Sequence, residues 1–189
     1  DTGKVLWVYS ALGSDIESGD AALYGQRQVL LGGKNGWGLI DVGGDKPVEV
    51  WKFSPRNHPT HRDFNMRFSN PILMEHHFYG WHEYRFLRCV DARTGAVAWE
   101  RDDKDFPEGA MIATAGRHII AVSLNGRLAV FRAKPGGFDA ESRTIWDGRL
   151  GGNCRALSLA DGRLYVRDES GALTCLRIGE KRTAPGGKP

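Results

Sequence analysis

The sequence has few cysteines and no pattern among them. Cys89, Cys154 and Cys175 are an odd number of widely spaced residues in a chain of 189, with no Cys-x-x-Cys pair. This set predicts no disulfide framework and leaves the redox compartment open. Small, buried core residues are the simplest interpretation, because cysteine is often buried without reacting.

The sequence also lacks an excess of either charge and any long apolar run. Its 26 lysines and arginines stand against 23 aspartates and glutamates, so the net charge is +3, and no basic run exceeds a few residues. This balance predicts no nucleic-acid partner. A membrane-spanning helix needs about 20 apolar residues, so no membrane span is predicted either.

Catalytic motifs are missing from the linear sequence. There is no Gly-x-Ser-x-Gly elbow and no phosphate-binding loop. Ser123, Ser158 and Ser170 have no recognisable base paired with them. The sequence therefore predicts no catalytic residue.

Helix signals are nearly absent, whereas turn signals are frequent. No window of three turns carries apolar residues at the 3.6-residue spacing of an amphipathic helix. The 25 glycines lie mostly between short apolar runs, as a chain with many tight turns requires. An all-β fold is predicted.

A hairpin pattern over residues 86–99 organises the rest of the chain. Leu87, Cys89 and Asp91 alternate with other residues, as one strand of a sheet does, and the chain then turns up to Gly95. The alternation resumes and ends at Trp99. Asp91 and Gly95 are predicted to be structural, because aspartate can bond downstream amides and glycine accepts a positive φ.

The hairpin recurs along the chain with a period in the mid-forties. Its closing tryptophans are spaced by 44, 48 and 47 residues, at Trp7, Trp51, Trp99 and Trp146. Four short strands in such a period are the signature of a β-propeller blade. We expect these indoles to fill the wedge between adjacent blades, since each buries about 150–250 Å².

The order of the strands permits two kinds of ring. The chain begins with a fourth strand, over residues 2–8, and ends with a third strand, over 172–178, so four blades are predicted in one domain over 1–178. The first strand can complete the last blade and close a four-bladed ring. Alternatively, the four blades are an arc of a ring of seven or eight, which we favour because the chain begins without Met, inside a repeat. The tail over 179–189, rich in Lys, Gly and Pro, is predicted to be disordered.

Histidines are concentrated in one region. Five of the six lie between residues 58 and 82: His58, His61, His76, His77 and His82. Histidine is a common metal ligand, but neighbours on a strand point to opposite faces, and the others lie in a loop. We predict solvated loop histidines and no metal site, with a partner surface and a metal site as the alternatives.

A candidate ligand-binding rim is predicted around the long loop over residues 54–69. Function concentrates in loops held by rigid scaffolds, and arginine, histidine and aromatic side chains suit an acidic ligand, a glycan or a protein. Trp37 and Trp81 are predicted to line this rim, and the alternative is that both are buried between blades. The predicted rim residues are Trp37, Arg56, His58, His61, Arg67, Trp81 and His82.

The chain resembles the quinoprotein-type (PQQ-like) β-propeller repeat family. The family's hallmark is an apolar strand, then Asp-x-x-Thr-Gly, then a short strand ending in Trp. Asp91, Thr94, Gly95 and Trp99 match it fully, whereas Lys46 and Pro47 replace Thr-Gly in the second unit. The resemblance covers nearly all of residues 1–178.

That family includes quinone-dependent alcohol dehydrogenases, an outer-membrane assembly lipoprotein that only scaffolds, and many exported proteins. Its dehydrogenases use a vicinal Cys-Cys pair and a calcium ion, and no Cys-Cys occurs in this sequence. We therefore expect neither PQQ nor calcium to bind. The resemblance implies a non-catalytic scaffold in the periplasm or outside the cell, which binds a protein, small ligand or glycan at the propeller face. The alternative is a segment of a quinone-dependent dehydrogenase.

Overall fold

The computed structural model describes residues 3–10, 21–33, 36–53, 70–82, 86–102, 106, 109–140, 143–146, 150–154 and 156–178. Throughout these ranges the chain forms antiparallel strands and no helix, and hence no helix that could cross a bilayer. The predicted tail over 179–189 lies outside the described residues.

The strands form four separate sheets, which are the four blades of a β-propeller. In each sheet, strands that follow one another in sequence pair with one another. The first blade consists of β1 (Ala22–Tyr24), β2 (Gln28–Gly33), β3 (Gly36–Asp41) and β4 (Val48–Phe53). The second consists of β5 (Ile72–Met74), β6 (His77–His82), β7 (Phe86–Asp91) and β8 (Val97–Asp102).

The third blade again has four strands, whereas the fourth has three among the described residues. The third consists of β9 (Gly109–Ala113), β10 (His118–Ser123), β11 (Leu128–Arg132) and β12 (Thr144–Trp146). The fourth consists of β13 (Ala156–Ala160), β14 (Arg163–Arg167) and β15 (Leu173–Arg177). The sequence predictions of an all-β fold and of four propeller blades are confirmed.

The first strand of every blade lies next to the first strand of the following blade. β1 contacts β5, β5 contacts β9, and β9 contacts β13. The blades are thus arranged side by side around a common axis, with β1, β5, β9 and β13 innermost.

The hydrophobic core lies between the blades, and the second and third blades each contribute both of their faces. Phe78 and Val90 of the second blade pack in one cluster with Leu30 and Leu39 of the first blade. Their sequence neighbours Tyr79 and Cys89 pack on the other side, against the third blade. A third cluster joins the third blade to the fourth. Because successive residues of a strand point to opposite faces, strands buried on both faces read as continuous apolar runs.

Residues 3–10 belong to none of the four sheets. Val5, Leu6 and Val8 are exposed, and the Tyr9 hydroxyl donates a hydrogen bond of 2.6 Å to Glu49 Oε1, on β4. The segment that would complete the last blade in the four-bladed alternative therefore lies beside the first blade, and β15 remains an edge strand in the described chain.

Candidate functional site

The meander of each blade divides its connections between two ends of the propeller. The turns between first and second strands and between third and fourth strands lie at one end, which we call the turn end. The connections between second and third strands, and from each blade to the next, lie at the other, the loop end. Trp37, at the start of β3, and Trp81, near the end of β6, both lie at the loop end, where β4 also ends, at Phe53.

Most of the predicted rim lies outside the described residues. Arg56, His58, His61 and Arg67 fall in 54–69, which the described ranges omit. His82 is the last residue of β6, at the loop end. Their role as ligand-binding residues remains a prediction.

Trp37 and Trp81 do not form an exposed platform, because both are core residues. Trp37 is 1% exposed, with its ring edge-on to Trp51 at 4.9 Å between centroids and stacked on Phe53 at 5.5 Å. Trp81 is 2% exposed and stacks on Phe106 at 5.8 Å. This agrees with the alternative interpretation, burial between blades. The two indoles support the loop end from inside the core.

An ion pair with one buried partner lies in the second blade, close to the same end, since the Glu100 side chain is 35% exposed. Arg88, which is 4% exposed, donates through Nε to Glu100 Oε2 on the neighbouring strand. Such a pair costs desolvation and stabilises mainly when both partners remain. Sequence alternation predicted a strand here but gave no signal for a buried arginine.

At the turn end, side chains from different blades meet. The Tyr24 hydroxyl and His76 Nδ1 lie 2.8 Å apart, which links the first blade to the second. Glu75 forms an ion pair with Arg117, which links the second blade to the third. The sequence places Tyr24 and His76 52 residues apart, so no linear pattern could have predicted their contact.

Backbone conformation at the turn end is unusual for the residue types involved. Glu75, Arg117 and Asp161 have φ of +55°, +60° and +50°, in the left-handed region that non-glycine residues rarely adopt. All three belong to turns between the first and second strands of a blade. Each such residue costs of order 1 kcal/mol or more.

Aspartates cap the turns between third and fourth strands. Asp91 accepts a hydrogen bond of 2.8 Å from the backbone N–H of Arg93, and the Arg93 guanidinium lies 2.9 Å from its other oxygen. These contacts lower the pKa of Asp91 to about 2. Asp41 repeats the arrangement, and hydrogen bonds from the Gly43 N–H and from Arg27 lower its pKa. Asp41 and Asp91 are therefore ionised at neutral pH, when they cap these two turns.

The cysteines differ in their surroundings. Cys89 and Cys154 are buried between blades, whereas Cys175 is exposed on β15. Burial raises the pKa of the Cys89 thiol to about 11 and also raises that of Cys154. Both thiols are therefore protonated at neutral pH.

In the described part of the chain, no three histidine, cysteine, aspartate or glutamate residues are grouped so that they could hold a metal ion. His76 and His77 belong to the described part of the chain, whereas His58 and His61 lie outside it.

Comparisons with known proteins show the fold alone. No protein-family model matches the chain, and no curated protein does. Among solved structures, the chain is similar to BamB from Moraxella catarrhalis, with a TM-score of 0.62 and 14% identity, over 85% of this chain and 46% of that one. This chain therefore spans about half the length of that BamB.

Two computationally designed proteins are also similar. Ika4 matches with a TM-score of 0.59 and 11% identity, over 88% of this chain and 99% of that one. Ika8 matches with a TM-score of 0.50 and 11% identity, over 82% of this chain and 57% of that one. Together with the four sheets, these similarities establish that the chain is a β-propeller.

Proposed function

We propose that the chain is a PQQ-like β-propeller that acts as a non-catalytic binding scaffold in an exported protein. The observation that carries this proposal is the packing of Trp37 and Trp81, which anchors the loop end in the core. Rigid support under variable loops is the arrangement on which binding sites are commonly built.

The chemistry of the loop over 54–69 indicates the kind of partner. It contains three arginines, Arg56, Arg62 and Arg67, against one carboxylate, Asp63, together with two histidines and two phenylalanines. Arginine and aromatic side chains are enriched in protein interfaces, and arginine binds carboxylates through two parallel hydrogen bonds. We therefore propose a protein or glycan partner that presents acidic groups.

Site-specific photo-crosslinking tests the proposal. Benzoylphenylalanine replaces His61, in the segment between the first and second blades, or, as the control, the exposed Gln26 at the turn end. In an envelope extract we expect one discrete adduct from position 61 and none from position 26. The adduct should be lost in Arg56→Gln/Arg67→Gln and retained in Arg163→Gln/Arg167→Gln, which removes two exposed arginines of β14.

Three outcomes contradict the scaffold. Adducts from position 26 alone would place binding at the turn end. An adduct that survives the loss of Arg56 and Arg67 would exclude acidic recognition by the loop. Dye reduction that depends on added PQQ and calcium would favour the dehydrogenase alternative, in which chemistry accompanies binding.

A further inference from the structure

The two ends of the blade series carry complementary halves of one blade-to-blade interface. On the fourth blade, Tyr165 pairs with Cys175 in the register in which Tyr79 pairs with Cys89 on the second. In the second blade that face is buried against the third blade. In the fourth blade the same face is open, and Leu173, which lies on it, is 66% exposed.

The first blade presents the opposite face. Leu23 pairs with Val29, and Val29 with Ile40. In the second blade, the corresponding residues are Leu73, Phe78 and Val90, which pack against the preceding blade. The described chain has no blade in that position before the first one. On this face Leu23 is 64% exposed, whereas Ile40 is 1% exposed, so the face is open around Leu23. A fourth-blade face therefore fits against a first-blade face in the way that consecutive blades of this chain fit together.

The fourth blade also has a free strand edge. Ile178 donates its N–H to Gly162 O at 2.8 Å, and Asp168 donates to Ala172 O at 3.1 Å, so even-numbered residues of β15 bond to β14. Because backbone groups alternate in direction along a strand, those of Leu173, Cys175 and Arg177 point to the open edge. In the first and second blades, the position of Cys175 pairs with a tryptophan of the fourth strand, as in Cys89 with Trp99.

Residues 3–10 have the sequence and the turn geometry of the strand that this edge lacks. Gly3 precedes Trp7 by four residues, as Gly95 precedes Trp99. Gly3 has φ +61° and Gly95 has φ +75°. Each of the two segments therefore follows a glycine in the left-handed conformation. The segment belongs to no sheet and exposes four large apolar side chains, those of Val5, Leu6, Trp7 and Val8.

We propose that two copies of this chain close a single eight-bladed ring. Residues 3–9 of each copy add to β15 of the other, with Trp7 opposite Cys175, and each fourth blade packs against the other copy's first blade. The Tyr9–Glu49 hydrogen bond keeps the segment beside its own first blade, at the far end of the series from its own β15. The two-fold arrangement uses the same pair of contacts twice and covers both exposed edges.

The mass of the 189-residue chain in solution is the primary test. Sedimentation equilibrium at micromolar concentration should give twice the 20.9 kDa of one chain. A chain that stays monomeric at every concentration overturns the proposal, whether its arc stays open or its own residues 3–9 close a four-bladed ring. An open series of higher oligomers also overturns it, because the proposed ring is closed.

A pair of substitutions at one position tests the strand edge. Cys175→Pro removes the outward N–H without loss of a β14 hydrogen bond, and edge positions tolerate proline. We expect a monomer with the circular dichroism of the parent, whereas Cys175→Ser should remain a dimer. A Cys175→Pro protein that sediments as the parent dimer contradicts strand addition. Trp7→Ala changes a residue outside every sheet, so it should fold, and it should raise the dimer dissociation constant by a factor of about 30 or more.

Mixing the two weakened variants tests the exchange between copies. Cys175→Pro retains an intact segment over 3–9, and Trp7→Ala retains an intact β15, so a mixed dimer has one intact junction. The mixture should associate more tightly than either variant alone. Equal or weaker association in the mixture contradicts the proposal, because contacts between identical surfaces would give no such rescue.

Discussion

Trp51 and Trp99 combine an apolar and a polar contact between blades. Trp51 Nε1 donates to Ala92 O at 2.9 Å, and Trp99 Nε1 donates to Lys134 O at 2.8 Å. In both cases the acceptor lies in the turn after the third strand of the next blade. Each indole therefore stabilises the contact between two blades in two ways, by burying apolar surface and by donating one hydrogen bond. Trp7 and Trp146 are 37% and 39% exposed, so equal spacing in sequence gives unequal burial.

We expect Trp99→Ala to lower the free energy of unfolding by about 3–5 kcal/mol, the cost of truncating a large core aromatic. The variant loses the packing against Tyr79 and Phe138 as well as the bond to Lys134. Urea denaturation followed by circular dichroism measures the change. Trp146→Ala is the matched control and should cost clearly less. Equal costs for the two variants would show that Trp99 does not join the blades.

Asp91 makes the stability of its turn depend on pH. Its pKa is about 2 in the folded chain and about 3.9 in an unfolded one. A depressed folded pKa contributes stability that is complete above the unfolded value and is lost as pH falls from about 4 toward 2.

Asp91→Asn should therefore be less stable than the parent at pH 6, by about 1 kcal/mol after allowance for solvent screening. The difference should shrink below pH 4, because the parent carboxylate then becomes protonated. Denaturation of both proteins in steps between pH 6 and pH 2.5 measures it. A difference that is the same at all pH values would show that the ionised carboxylate does not stabilise the turn.

At the scale of the element, the turns contact the neighbouring blade. Gly95 ends the turn capped by Asp91 and has φ +75°. A Cβ there would lie 2.2 Å from Cε2 of Phe53, on the first blade. Close approach between blades therefore requires glycine at this position, in addition to the left-handed backbone.

Gly95→Ala and Gly171→Ala separate these two requirements. Both glycines have left-handed φ, so both substitutions carry a backbone cost of about 1–2 kcal/mol. A Cβ at Gly171 meets nothing within 4 Å, whereas at Gly95 overpacking adds about 1–3 kcal/mol. Thermal or urea unfolding should rank Gly95→Ala as the less stable variant. The reverse order would contradict the contact between this turn and Phe53.

Local alternation and turn residues predicted the elements well. The hairpin over 86–99 is β7 and β8, although β8 extends to Asp102 because Glu100 and Arg101 still pair with β7. The four strands predicted for each blade are all present in the first three sheets. Contacts between blades were not predictable in this way. Trp37 could not be placed in the core by sequence, nor could Tyr24 be paired with His76, since both depend on how separate sheets face each other.

At the scale of the molecule, the second and third blades are each stabilised by neighbours on both sides. The two terminal blades each have a neighbour on one side only within the described chain, and their outer faces carry exposed leucines. A sheet face that is exposed to water is normally polar. Because the apolar pattern is repeated on the outer faces of the terminal blades, a further blade contact is expected there. The sequence predicted the number of blades, but not which faces remain open.

Counting reactive thiols tests this arrangement of blades most directly. In the Trp7→Ala variant, one thiol, that of Cys175, should react quickly with a thiol reagent. Cys89 and Cys154, which lie between blades and have raised pKa values, should react only after unfolding in urea. Fast labelling of Cys89 in the folded protein, identified by mass spectrometry, would contradict the packing of the second blade against the third.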